Sequence, residues 1–223
     1  MGLGLTLILF GGVPSQAGTR LAPVPVDTQV SGASPSARSV TAQAAGCANA
    51  PGVPLRITVD GARAHGTPVE AHGLGDDGTL YVPDDPTIAG WLDYPTVGPG
   101  ADHGSAILTT HVNYAGVLGA FGDLTAYRPG QHISVTLADG RILSYHVVPA
   151  ASMGFRTTDT ALVVDKAQLD QDPALRARIF DFSHTWSDNG RPGCGRLVLV
   201  TCTGRVVGHN YLDNAFVFAV PDR

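Results

Sequence analysis

From Leu55 to the C-terminus, short apolar runs are cut at close intervals by glycine and proline. The chain has 28 Gly and 16 Pro in 223 residues, about a fifth of the total. Such punctuation leaves little room for long helices and asks for many short strands joined by turns. Residues Leu55–Val59 (LRITV) alternate like a half-buried strand. Thr79–Val82 reads as a strand before the turn signal Pro83–Pro86, and Ser105–His111 as another. His132–Leu137 and Arg141–Val148 flank Asp139-Gly140, the pattern of a β-hairpin. Leu162–Val164, Leu197–Val200 and Asn214–Val220 complete the set. Helical signals are confined to Leu118–Leu124 and to Lys166–Phe180, the latter interrupted by Pro173. Seven or eight short strands with sparse helices imply an all-β domain, a closed barrel or a sandwich.

Hydrophobic residues make up 43% of the chain and charged residues 15%, which is enough apolar material for a core. The net charge is −5 with no basic block, which argues against a nucleic-acid partner, because phosphate binding needs clustered Lys and Arg. Near the N-terminus the apolar run Leu3–Phe10 is shorter than the roughly 20 residues a bilayer span needs. No basic residue precedes it, and small residues (Ser15, Ala17, Gly18) follow it. Residues 1–18 are therefore read as a signal peptide or signal-anchor remnant. Residues 19–52 are read as a flexible extracytoplasmic linker, since so little apolar surface cannot offset the entropy of ordering. Residues 53–223 are the folded domain.

Three cysteines leave one unpaired in an oxidising compartment. Cys202 follows the apolar strand Leu197–Val200, and His111 ends the strand that begins at Ser105. A thiol becomes a nucleophile when a base or cation stands beside it. If these two strands are parallel neighbours, both side chains reach the same rim. A third polar or cationic group there would stabilise an oxyanion and complete a site for acyl transfer. The bland readings are a packed thiol or disulfide for Cys202 and an ordinary rim residue for His111. The other histidines (His65, His72, His103, His132, His146, His184, His209) lack metal-ligand spacing, so no metal site is expected.

Several segments resemble the sortases, within them the actinobacterial class E/F type. Leu197–Cys202 (LVLVTC) is similar to the TLxTC-like strand end of that family. Gly104–Val112 (GSAILTTHV) looks like its histidine segment. Gly78–Pro86 with Gly90-Trp91, Phe121–Leu124 with Arg128–Gly130, and Tyr211–Ala219 follow the family order, so the resemblance spans about residues 53–221. It implies a closed eight-stranded sortase-type barrel and a membrane-anchored cysteine transpeptidase on the outer face of a Gram-positive cell. Such an enzyme cleaves an LPxTG-type sorting signal of secreted proteins and passes the acyl fragment to an amine of the cell wall or of a pilin. The implied roles are Cys202 as nucleophile and His111 as general acid, with no metal or organic cofactor.

Two departures stand out. No arginine occupies Asn210–Asn214, where the family places one at the start of the final strand. Arg205 is the preferred replacement. Asn214 as an amide donor and Arg156 or Arg191 from other loops are alternatives, and Thr201 is a further substrate or oxyanion candidate. Secondly, Gly190–Arg196 (GRPGCGR) resembles the nucleophile motif of L,D-transpeptidases, which makes Cys194 an alternative nucleophile. A Cys47–Cys194 disulfide is the preferred fate of that cysteine and leaves Cys202 as the free thiol. A Cys194–Cys202 bond would silence the site. The loops 114–123 and 181–195 are candidates for specificity. A rival of another class is an exported barrel that binds peptides or cell-wall components without cleaving them.

Overall fold

A computed structural model describes residues 51–74, 79–93, 96–186, 194–208 and 210–222. All of them lie in one compact unit, Thr41–Arg223. The proposed leader 1–18, and the linker as far as residue 50 with Cys47, lie outside the described residues, as does Arg191. Among the described residues no helix is long and apolar enough to cross a membrane.

Eight strands close into a ring. In chain order the strands are β1 (Pro54–Val59), β2 (Thr67–His72), β3 (Ala89–Leu92), β4 (Ser105–Thr109), β5 (Asn113–Tyr114), β6 (Val117–Leu118), β7 (His132–Leu137), β8 (Ile142–Val148), β9 (Leu162–Asp165), β10 (Arg196–Val207) and β11 (Asn210–Pro221). The ring runs β10-β4-β3-β2-β1-β7-β8-β11, and the β10–β11 pairing closes it. The all-β closed eight-stranded barrel expected from the sequence is therefore present. β9 adds to the open half of β11, while β5 and β6 form a separate hairpin.

Alternation along the strands makes two cores. Ile57, Val59, Leu108, Ile133, Val135, Tyr145, Leu197, Leu199 and Val217 fill the barrel. Ile107, Val198, Val200, Phe216 and Phe218 face outward and are covered by Leu169 of α1 (Lys166–Gln171) and Ile179 of α2 (Pro173–Ile179). Both helices start with an aspartate cap: Asp165 accepts from the Ala167 and Gln168 amides, and Asp172 from the Leu175 amide, with Pro173 in the first turn.

Differences from the sequence reading have local causes. Thr79–Val82 forms no regular strand: Leu80 makes only an isolated bridge to Leu74. Leu118–Leu124 is not a helix. Val117–Leu118 is a strand, and only a 3-10 turn at Leu124–Ala126 follows. Gly119 and Gly122 sit so close to the His111 and Val112 carbonyls that a Cβ on either would collide. β3 escapes sequence reading because it is four residues long and buried on both faces, so it has no alternation to detect; β2 alternates in burial, but Pro68 and Glu70 on its exposed face weaken the strand signal.

Arg196, where β10 begins, is 1% exposed. Its Nε donates to Ser105 Oγ at 3.0 Å, and its Nη2 to the carbonyls of Arg178 (2.7 Å) and Ile179 (2.8 Å). The guanidinium thereby satisfies carbonyls at the C-terminus of α2, and it stacks on the rings of Trp186 and Phe218. Burial disfavours its charged form, and the Asp181 carboxylate opposes that shift.

Candidate active site

The site grows from the register of β10 against its two neighbours. β10 runs parallel to β4, with Val198 opposite Ile107 and Val200 opposite Thr109. The Thr110 amide carries the ladder one step further by donating to the Val200 carbonyl at 3.1 Å. The Thr201 hydroxyl donates to the Thr110 carbonyl at 2.9 Å. The next residues along are Cys202 and His111. Since Val198 and Val200 face outward, as does Ile107, period-two alternation puts Cys202 and His111 on that same outer face. Asn214 lies directly across from Cys202 on β11 and shares the face. Thr201 points the other way. It is buried, and its hydroxyl proton is committed to Thr110.

His111 is half-buried and stacks on Tyr114, with ring centroids 4.7 Å apart and planes 19° from parallel. Tyr114 is held there by the β5–β6 hairpin, whose turn residues Ala115 and Gly116 have φ of 50° and 82°. Two successive positive φ values are the mark of a tight hairpin turn. The imidazole Nε2 is buried with no hydrogen-bond partner among the described residues. Burial pushes the His111 imidazole below its ordinary value, and the Asp84 carboxylate opposes this.

Cys202 is a free, half-buried thiol. Its Sγ accepts a hydrogen bond from Lys166 Nζ at 3.4 Å. Lys166 opens α1, and the β9–β11 register brings it there: Val164 pairs with Asn214 and Asp165 with Asp213. Sequence reading places Lys166 at the edge of a weak helix and gives it no role. Thirty-six positions separate it from Cys202, and only strand pairing joins them.

The remaining candidates are dispersed. Arg205 lies past an irregularity in the β10–β11 pairing, between Thr203 and Val206. There Gly204 has φ of 78°, and Arg205 is exposed with no hydrogen bond or ion pair to a described residue. Arg156 is exposed as well. Cys194 is disulfide-bonded and 4% exposed, so it offers no free thiol. Trp91 is buried, and Trp186 packs on Arg196. No group of three or more metal-ligating side chains occurs among the described residues.

A free thiol in register with an imidazole, on an open face, is an arrangement for nucleophilic attack on a carbonyl followed by proton delivery to the leaving group. No family model and no curated protein matches the chain. Among solved structures the chain is similar to sortases. Sortase C-1 from Actinomyces oris matches at 19% identity and TM-score 0.48, over 74% of this chain and 72% of that one. Sortase A from Corynebacterium diphtheriae matches at 19% identity and TM-score 0.49, over 76% of this chain and 60% of that one. The SrtA sortase from Actinomyces oris matches at 17% identity and TM-score 0.49, over 80% of this chain and 86% of that one. The likeness is one of fold, and the functional reading rests on the site itself.

Proposed function

We propose that the chain is a member of the sortase family and acts as a cysteine transpeptidase, with Cys202 as nucleophile and His111 as general acid. The observation that carries this reading is the juxtaposition of the free thiol and His111 on one face, set by the parallel β4–β10 register. The Cys202 thiolate attacks the scissile carbonyl, a C–S bond forms, and the carbonyl electron pair moves to oxygen. Collapse breaks the C–N bond, and His111 in its charged form protonates the departing amine. A second amine then attacks the thioester, gives a proton to neutral His111, and releases the sulfur as thiolate. Asn214 and Arg205 are the sequence-derived candidates for steadying the oxyanion.

The substrate class follows from the sequence resemblance: an LPxTG-type sorting signal, cut after its Thr, with a cell-wall or pilin amine as acceptor. The exposed side chains of Tyr114, Val117 and Leu118, beside His111, offer an apolar wall for such a peptide. The location is the extracytoplasmic face of the membrane, with residues 1–18 as leader or anchor, 19–52 as linker and 53–223 as catalytic domain. A Cys47–Cys194 disulfide would tie the linker to the barrel and fits an oxidising compartment.

The test is intact-mass analysis of the full chain mixed with a panel of LPxTG-like peptides, wild type against Cys202→Ala. An acyl adduct on the wild type that is absent from the variant is expected. A wild type that takes no adduct from any peptide, while still binding one, would favour the non-cleaving barrel instead.

A further inference from the structure

The sequence leaves a vacancy for a charged group at the nucleophile, and a lysine stands beside the sulfur. We propose that Lys166 is the cationic catalytic residue of this site, holding the Cys202 sulfur as thiolate before attack and again when it leaves the thioester. This rests on the reading of Cys202 as nucleophile.

The chemistry of the contact sets its direction. An ammonium has three donors and no acceptor, so at 3.4 Å Sγ must be the acceptor. A donor cation favours the anionic form of sulfur over the neutral thiol. The neighbouring charges leave Lys166 available for this. The Asp165 carboxylate is occupied by the Ala167 and Gln168 amides. Asp213, across from Asp165 on β11, lies against Gly204, and Lys166 has no ion pair with a described carboxylate. His111 follows β4 in register with Cys202, and its burial favours the uncharged form. Arg205 is directed to solvent beyond the Thr203/Val206 irregularity. Among the described residues Lys166 is the cation that hydrogen-bonds Sγ.

The position also suits both half-reactions. In the first, the sulfur lone pair becomes the C–S bond, and the ammonium loses its anionic partner while the carbonyl oxygen gains the charge. In the second, the amine forms its C–N bond, the C–S pair returns to sulfur, and Lys166 meets the thiolate again. The lysine changes no protonation state in either step, so the proton traffic stays with His111.

The experiment is iodoacetamide alkylation of Cys202 in the full chain across a pH series, located by peptide mapping, with thioester formation measured on the same samples. Wild type, Lys166→Met, Lys166→Arg and Arg205→Ala are compared, and thermal melts check folding. In Lys166→Met the alkylation profile should move to higher pH, slowing the reaction about tenfold at neutral pH with an unchanged alkaline plateau. Lys166→Arg should restore the wild-type profile, and Arg205→Ala should leave it in place. A profile unmoved in Lys166→Met overturns the proposal, whatever the peptides do. A profile that moves in a protein that never forms a thioester upholds the Lys166–Cys202 pairing and overturns the transpeptidase reading instead.

Discussion

A cysteine and an arginine stand at or just before the start of β10, and another pair in its far half, and the two places are opposites. At its start, Cys194 is disulfide-bonded and Arg196 is buried between two aromatic rings, with its donors spent on Ser105 and the end of α2. At its far end, Cys202 is a free thiol and Arg205 is exposed. Residue type alone does not separate the pairs. What separates them is cover: α2 and the segment through Trp186 close over the first end, whereas beyond Thr201 the strand leaves the core, stays paired with β11 and is reached by Lys166 of α1. A strand continuous through both environments joins a rigid anchor to an open reactive rim.

The largest expected effects come from exchanging the roles of the two cysteines. Cys202→Ala should abolish the acyl adduct while leaving the melting temperature near that of the wild type. Cys194→Ala should retain the adduct but lose about 2–5 kcal/mol of stability, read as a lower denaturant midpoint. Were Cys194→Ala to lose the adduct while still folded, the division between anchor and rim would collapse.

His111→Gln keeps the size and polarity of the side chain but removes its proton chemistry. Thioester formation should slow by about 10²–10⁴-fold, measured by rapid quench and intact mass. An unchanged rate would remove His111 from the mechanism.

The arginines sharpen the same contrast through stability. Arg196→Met leaves the carbonyls of Arg178 and Ile179 without their donor, and about 3 kcal/mol of destabilisation is expected. Arg205→Ala should stay within about 0.5 kcal/mol of the wild type. Equal losses in urea titrations of the two variants would show that the ends of β10 are not so different.

The smallest effect is the pH response of His111. Its folded-state value is held below the ordinary imidazole value, so the stability it contributes is present above that ordinary value. That contribution is lost as pH falls through the lowered one. Wild type should therefore lose stability relative to His111→Gln as pH falls below the ordinary imidazole value. A parallel decline of the two proteins would mean that the imidazole is as well solvated when folded as when unfolded.

Short-range chemistry accounts for what was readable without coordinates. The Asp139-Gly140 turn between two alternating runs gives the β7–β8 hairpin, and Gly140 adopts φ of 83° there. The helical signal at Lys166–Phe180, interrupted by Pro173, corresponds to α1 and α2. The apolar runs that lead to Cys202 and His111 are legible in the same way, but the expected end of the strand at Val200 is not observed: β10 continues through Cys202 to Val207, because it stays paired with β11. β2, β3 and the pairing of β9 with β11 are not local. They depend on burial on both faces, or on partners far along the chain.

By itself, then, the sequence determined an all-β domain of many strands, with a cysteine just past one apolar run and a histidine at the end of another. Turn propensity, alternation and composition act between near neighbours, and these suffice for that. Tertiary structure alone decided that the two strands are parallel and in register, that Arg196 is sealed inside while Arg205 is not, and that Lys166 rather than a residue of the final strand touches the sulfur. Those outcomes depend on which strands share hydrogen bonds and which surface covers them, and a charge acts on a thiol only across a few ångströms of space.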